Sequence, residues 1–233
     1  MSSKLRWAQV IAWALVCAHG EPASAAPAVL DWEAAFPVES AAQDVYVDAH
    51  FLGSDGSNHR LQLWRHGTEF LHRRTDETLD LYLTQVGVKG EYAYRLIDHH
   101  RRVSMAVTRN QLYRIGVFSD WFGLAHVLDR PKSEFVVRAA APLPREKSAA
   151  CSWRLLVRGG KGAAEQSRIC WSPQWGLPLA IRSLGLNGEW SERFRVDRVE
   201  GISPSVDGLA IPPLPEDYVA FDAGSEIDPK EGD

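Results

Sequence analysis

The chain alternates apolar and polar residues in a series of short runs that are separated by turn-forming residues. From Val45 to Leu52, for example, the alternation places Val47, Ala49 and Phe51 on one face. A period of two is typical of half-buried β-strands, and the absence of long amphipathic helices between the runs favours an antiparallel meander. Besides the hairpin described below, the pattern predicts strands at 45–52, 59–64, 68–75, 79–85, 91–98, 102–108, 133–140, 177–184 and 190–200.

Two short segments have the spacing of helices instead. Asp31–Phe36 predicts one or two helical turns that end before a proline. In the second segment, Trp121, Leu124 and Leu128 recur at helical spacing after Ser119, which is a favourable N-cap. These strands, with one or two short helices, predict a sheet that is long enough to curl into a half or complete barrel.

The register of the first strand pair depends on keeping its apolar residues on one face. Pairing Phe51 with Leu61 places these two residues together with Ala49 and Leu63. This register requires a loop of five or seven residues, or a bulge, between the two strands. We therefore expect Phe51 to lie opposite Leu61.

A cysteine stands at each outer end of a hairpin pattern in the second half of the chain. Two strand-like runs flank a glycine-rich reversal at Gly159, Gly160 and Gly162. Aligning the runs around this reversal places Cys151 directly opposite Cys170, which is close enough for a disulfide. The alternative is a pair of free thiols with a redox or metal-binding role, although the chain has no CxxC or CxxH spacing to support it.

The N-terminus reads as a secretory signal peptide from Met1 to Ala25. Lys4 and Arg6 precede a mostly apolar stretch that is too short to span a bilayer well, and small residues precede the expected cleavage near Ala25. A retained anchor and a lipoprotein are the alternatives, but a valine precedes Cys17 where a lipid-modified cysteine needs a small residue. Cleavage leaves only the two hairpin cysteines, and an oxidising compartment favours their pairing. We therefore expect a periplasmic or otherwise exported protein.

Charge and composition divide the rest of the chain into a body and a tail. The net charge is −4, and no basic stripe or polybasic patch indicates a nucleic-acid partner or a membrane anchor. Residues 26–215 are numerous enough for a single β domain with its own core. Residues 216–233 are rich in acids and punctuated by glycine and proline, which predicts a flexible acidic tail.

No motif in the sequence indicates catalysis, a metal site or a cofactor. The patterns of nucleophile elbows, P-loops, HExxH zinc sites and dinucleotide-binding glycines are all absent from the chain. The polar cluster from Asp98 to Arg102 is interpreted as a charged turn, and His59, His66 and His72 as solvated residues at hairpin ends. A hydrolase that uses His99 or His126 remains an alternative hypothesis.

Arginine and tryptophan recur along the C-terminal strands. The arginines have the spacing of a solvated outer face, or of a cationic rim that engages an anionic head group or a lipoprotein. The tryptophans are read as core, with a carbohydrate platform as the alternative. The residues concerned are Arg154, Arg158, Arg168, Arg182, Arg193, Arg195, Arg198, Trp153, Trp171, Trp175 and Trp190.

The segment Ile169–Val199 resembles a known family. Gly176-Leu177-Pro178-Leu179, Asn187-Gly188 and Phe194 follow the strand–turn pattern of the periplasmic lipoprotein-carrier superfamily of LolA and LolB. The segment is also similar to the N-terminal domain of envelope-stress regulators of the MucB/RseB type. The resemblance implies a mainly β fold, in which a curved antiparallel sheet forms a half-open barrel with one or two short helices on its concave side.

The same resemblance implies a hydrophobic cavity for acyl chains. The leading hypothesis is thus an exported, non-enzymatic binding protein that carries a lipid or an acylated protein and transiently contacts the membrane or envelope proteins. One alternative is a closed core without a cavity, and another is a stress or assembly regulator that binds a protein partner through a sheet edge or the tail. The predicted cavity-lining residues are Val47, Phe51, Leu63, Leu81, Leu83, Trp121, Leu124 and Leu128.

Overall fold

The computed structural model describes residues 28–39, 41–87, 90–108, 120–142, 150–159, 164–203 and 211–222. The predicted signal peptide, its cleavage site and residues 223–233 of the predicted tail lie outside the described residues. No helix in the described part of the chain is long and apolar enough to cross a membrane.

The described residues form thirteen strands and two short helices, most of them where the alternating pattern predicts them. The helices are α1 (Trp32–Ala35) and α2 (Trp121–His126). The strands are β1 (Val29–Leu30), β2 (Asp44–Leu52), β3 (Asn58–His66), β4 (Phe70–Thr75), β5 (Leu79–Gln85), β6 (Tyr92–Asp98), β7 (Val103–Thr108), β8 (Phe135–Ala139), β9 (Ser152–Arg158), β10 (Glu165–Ser172), β11 (Leu177–Leu184), β12 (Trp190–Gly201) and β13 (Val219–Asp222).

All thirteen strands belong to one open sheet in the order β1-β8-β9-β10-β11-β12-β2-β3-β4-β5-β6-β7-β13. Every neighbouring pair is antiparallel except β7 and β13, which are parallel. The mainly β, antiparallel-dominated and unclosed sheet with two short helices confirms the predicted fold class. The predicted runs do not include β1 and β13, which are short edge strands without a clear alternating pattern.

The first strand pair has a different register from the expected one. Phe51 lies opposite His59, and Leu61 lies opposite Ala49, so the pairing of Phe51 with Leu61 was wrong. The shift is two residues, which keeps every side chain on its predicted face. A five-residue loop, Gly53–Ser57, joins the strands as one of the two expected lengths.

The apolar side chains divide into two main clusters. The first cluster joins one face of β2–β7, β11 and β12 to α2, and we call this face of the sheet the inner face. The second cluster packs α1 against β8, β9 and β10, with Trp32, Phe36 and Trp171 among its buried rings. Asp120 caps α2 by accepting a hydrogen bond from the Gly123 amide, so the cap is one residue later than the predicted Ser119.

The cysteines of the β9–β10 hairpin are bonded to each other, although not in the expected register. Cys170 lies opposite Trp153, so Cys151 is placed diagonally across the hairpin from its partner. The Cα atoms are 5.4 Å apart, which is within the usual range for a disulfide. The bond therefore links the residue before β9 to the last part of β10.

We expect that replacing both Cys151 and Cys170 by serine lowers the free energy of unfolding by about 3 kcal/mol, because the bond restricts the unfolded chain. Urea denaturation of the purified protein measures this difference. The wild-type protein in reducing agent serves as the control and should lose a similar amount. Free thiols at both positions in non-reducing peptide mapping would contradict the prediction.

Candidate functional site

A row of directly opposed residues crosses the inner face beneath α2. All of its side chains are buried, and all but one are apolar. The Tyr92 ring, next to this row on β6, stacks on Trp121 of α2 with 4.7 Å between ring centroids. The short helix therefore covers this part of the inner face. The row consists of Val45, Arg65, Leu71, Leu83, Tyr94 and Val107.

The charged member of this row, Arg65, fastens α2 to the sheet. Its guanidinium donates hydrogen bonds to the carbonyls of Ala125 at 3.0 Å, Ala42 at 2.9 Å and Trp175 at 2.8 Å. Burial lowers the pKa of Arg65 to about 10, and the more distant charge of Asp44 opposes this shift. One buried side chain thus joins the helix, the segment before β2 and the β10–β11 turn.

His126 belongs to the same junction and is buried at the end of α2. Its Nδ1 lies 2.5 Å from the Gly176 carbonyl and 3.0 Å from the Arg65 guanidinium. Burial and the positive charge of Arg65 lower the pKa of His126 to about 4, so the ring is neutral and donates Nδ1–H to Gly176. Gly176 has φ +60, and a Cβ there would lie 2.7 Å from the Ala41 side chain, which explains the glycine at this turn.

A second row of opposed residues crosses the inner face next to the first row, on the side away from the helix. The solvent exposure of its side chains increases from β2 towards β7. At the β2–β3 end, Val47 and Leu63 are buried, whereas Leu81, Leu96 and Met105 on β5–β7 are partly exposed. The next residues of the sheet edge are exposed as well. We define the uncovered patch as Leu79 (37% exposed), Leu81, Leu96, Met105, Val219 (54%) and Phe221 (43%).

Arg73 is the one charged residue of the second row, between Leu63 and Leu81. Its Nη1 reaches the Leu124 carbonyl of α2 at 3.4 Å. Burial lowers the pKa of Arg73, and Asp129 opposes the shift through space without a direct ion pair. Among the described residues, no carboxylate lies within ion-pair distance of this guanidinium. A cation therefore borders the uncovered patch.

The structure gathers seven of the eight predicted cavity-lining residues around one cluster. Val47, Leu63 and Leu83 have no exposed surface, so they lie in the core and do not border a space that admits water. Phe51, Leu81, Trp121 and Leu124 pack around the same cluster and remain partly exposed. Leu128 belongs to the second cluster instead. A ligand-binding role for these residues stays a prediction.

A separate cleft of about 1290 Å³ lies between α1 and the segment that follows α2. Its rings are already packed, since the Trp32 and Phe36 rings lie 4.6 Å apart and both residues are buried. An ion pair of 3.0 Å between Arg130 and Glu33, both lining residues, also lies at this cleft. None of the eight predicted residues lines it.

The outer face carries a polar network that the sequence analysis missed. Asp80 is buried on β5 and accepts hydrogen bonds from His72 at 2.8 Å, Arg74 at 2.8 Å and His99 at 2.7 Å. Burial alone would raise the pKa of Asp80, but these three donors outweigh it and hold the pKa well below its usual range. His99 also lies 2.8 Å from the Tyr218 hydroxyl, which ties the segment before β13 to this face.

The interpretation of His72 as a solvated turn residue was wrong. The residue is buried within β4, where its ring stacks between Trp64 at 4.6 Å and Tyr82 at 4.2 Å. These rings are opposed across three neighbouring strands, so they form one ladder on the outer face. The sequence alone does not show that Trp64, His72 and Tyr82 are opposed, because this depends on the register of the strands.

Comparisons with known proteins give no family for this chain. No family model and no curated protein matches it. Similar solved structures include an uncharacterized conserved protein from Thermus thermophilus, with a TM-score of 0.47, 10% identity and coverage of 81% of this chain and 94% of that chain.

MucB is also similar, with a TM-score of 0.38, 15% identity and coverage of 75% of this chain and 60% of that chain. The Pseudomonas aeruginosa MucA/MucB complex gives a TM-score of 0.39, 15% identity and coverage of 72% and 56%. The chain thus spans about 60% of MucB or less. Similarities of this size do not indicate a function for this chain.

We expect that Asp80→Asn lowers the free energy of unfolding by about 3 kcal/mol at pH 7. The substitution removes the buried negative charge that accepts hydrogen bonds from His72, Arg74 and His99. The folded-state pKa of Asp80 lies below its unfolded value of about 3.9, so its contribution is present above that pH and is lost as the pH falls towards the folded pKa. The difference from wild type should therefore shrink below about pH 4.

Urea denaturation at several pH values measures this trend. Asp197→Asn is a matched control, because Asp197 is an exposed carboxylate that contacts only the exposed His50 among the hydrogen bonds and ion pairs described. A stability difference for Asp80→Asn that stays constant from pH 7 to pH 3 would argue against the charge as its cause.

Proposed function

We propose that this protein is an exported, non-enzymatic binding protein that takes up an apolar group of a lipid or an acylated partner on the uncovered patch. The observation that carries the proposal is the exposure gradient along the inner face. Leu81, Leu96 and Met105 continue the row of buried Val47 and Leu63, yet they keep accessible apolar surface. A contiguous apolar surface of this kind favours a binding role.

The chemistry of the patch suits an amphiphile. Burial of an acyl chain contributes about 0.8 kcal/mol for each methylene removed from water. Arg73 stands opposite Leu81 in the same row, where its positive charge would face a polar or anionic head group. The patch and Arg73 together thus offer one apolar and one cationic contact.

A binding role is favoured over hydrolysis by the surroundings of the two candidate histidines. His126 is buried, and its Nδ1 is engaged by the Gly176 carbonyl. His99 is held between Asp80 and the Tyr218 hydroxyl. A general base must reach a substrate proton, and both rings are instead engaged within the protein. The bond between Cys151 and Cys170 supports export, since oxidising compartments preserve disulfides.

We expect the wild-type protein to bind a fluorescent 16-carbon fatty acid and Met105→Glu to bind it about tenfold more weakly, because a charge is then placed in the apolar contact. Fluorescence titration measures both affinities. Leu186→Glu is the matched control, since Leu186 is fully exposed in the β11–β12 turn, away from the patch. Native mass spectrometry of gently purified protein should also detect bound lipid.

Two results would contradict this proposal. One is a folded wild-type protein that neither retains lipid on purification nor binds the fatty acid. The other is an equal affinity of Met105→Glu and Leu186→Glu for the probe, which would place the contact elsewhere.

A protein partner is the second candidate function, favoured by the open edge of the sheet. At that edge, β1 pairs through only two residues, Val29 with Arg138 and Leu30 with Val137. Val29 is exposed, and a short edge strand leaves backbone groups that a partner strand could extend. A stress or assembly regulator would use such an edge.

For the second candidate, we expect a photoreactive residue at Val29 to form one discrete protein adduct in cells, because a partner strand would lie against it. The same residue at Leu186, which is exposed on a turn, is the control and should form none. Mass spectrometry of the adducts identifies the partner. If the two positions give the same adducts, or Val29 gives none, the edge does not serve as the interface.

A further inference from the structure

An arginine is clamped between two tryptophans on the outer face of the other half of the sheet. The guanidinium carbon of Arg168 lies 5.5 Å from the Trp190 ring centroid and 6.0 Å from that of Trp153. Cation–π contact with two indole rings holds the planar guanidinium and limits its rotation. Arg168 is therefore a preorganised cation rather than a freely moving surface side chain.

A second arginine stands directly opposite this clamp. Arg168 of β10 pairs with Arg182 of β11 across the ladder. Like charges that are directly opposed repel each other, so this arrangement favours a nearby anion. Glu192 lies 3.7 Å from Arg182, but it makes its shorter contact, 2.6 Å, with Arg195. Its charge is thus shared between two cations.

The hydrogen-bonding capacity of Arg168 is unused within the described part of the chain. Its Nε is buried without an acceptor, and no described residue accepts a hydrogen bond from its guanidinium. A guanidinium has five N–H donors, and charge-assisted bonds to an oxyanion are the strongest use of them. These donors are therefore available to an acceptor that is not among the described residues.

We propose that Arg168 and Arg182 form a binding site for a phosphate group. Two arginines at directly opposed strand positions can supply enough charge and enough N–H donors for a phosphate with its three oxygens, which needs more of both than a carboxylate does. The phosphate belongs either to a free anion or to a phospholipid head group. Leu155 and Leu184 are partly buried on the same outer face, and their apolar surface would lie beside the head group in the second case. This site is independent of the uncovered patch, since it lies on the opposite face.

Calorimetric titration of the full chain with inorganic phosphate at constant ionic strength tests the proposal. We expect saturable binding that Arg168→Gln weakens about tenfold or more, since one charged donor group is lost. Arg168→Lys should fall between the two, because lysine keeps the charge but lacks the planar fork. Arg101→Gln is the matched control and should bind as wild type does, because Arg101 is exposed in the β6–β7 turn.

Three further arms identify the source and guard against misfolding. Vesicles of phosphatidylglycerol, compared with vesicles of phosphatidylcholine alone, test the phospholipid head group. Binding of either inorganic phosphate or these vesicles that depends on Arg168 supports the site. Acetate tests the carboxylate, and binding as tight as that of phosphate would overturn the proposal. If Arg168→Gln fails to fold, the proposal is tested by the NMR signal of the Arg168 Nε–H in the wild-type protein, which must shift when phosphate is added. No shift and no binding in either phosphate arm would also overturn it.

Discussion

The position of α2 on the sheet depends on one buried guanidinium. Arg65 is placed by strand β3 in the middle of an apolar row, where an unpaired charge would be strongly destabilising. The carbonyls of Ala42, Ala125 and Trp175 converge on it and offset that cost with hydrogen bonds to a charged donor. Because these carbonyls come from three separate segments, the helix, the entry to β2 and the β10–β11 turn cannot move independently.

The two faces of the sheet use buried charge for different purposes. On the inner face, Arg65 is surrounded by backbone carbonyls, so it orients chain segments without needing an acid. On the outer face, Asp80 accepts hydrogen bonds from Arg74 and two histidines, and one of these, His99, also contacts Tyr218. The network thereby holds the C-terminal segment, which ends in the parallel strand β13, against the sheet.

The sequence was sufficient for those elements whose stability is local. The bounds of β5 and β11 match the predicted runs, because strict alternation between turn residues defines them. Strands β1 and β13 were not predicted, since two and four residues acquire their strand conformation only by pairing with a neighbour. The register of the strands could not be predicted from the sequence either. Phe51 and Cys151 are each displaced along the ladder from the residue that was expected to lie opposite.

The sequence predicted which apolar residues share the inner face, but not which of them remain exposed to solvent. Val47, Leu63 and Leu81 were predicted together as lining residues, and in the structure they lie on the same face of the sheet. Alternation does not distinguish the buried Val47 from the partly exposed Leu81, because their difference depends on where the helix lies. The network of Asp80 was missed for a related reason, since its four residues approach one another only after the strands that carry them have paired.

The size of α2 explains why the inner face is only partly covered. Six helical residues extend about 9 Å, because each adds about 1.5 Å. The second row crosses eight strands, from β12 to β13, and a spacing of about 4.8 Å between strands makes it more than roughly 30 Å long. A helix fastened by Arg65 above β3 therefore covers the neighbouring strands and leaves those nearest β13 exposed. The exposed apolar surface on β5–β7 is thus a geometric consequence of pairing a long sheet with a short helix.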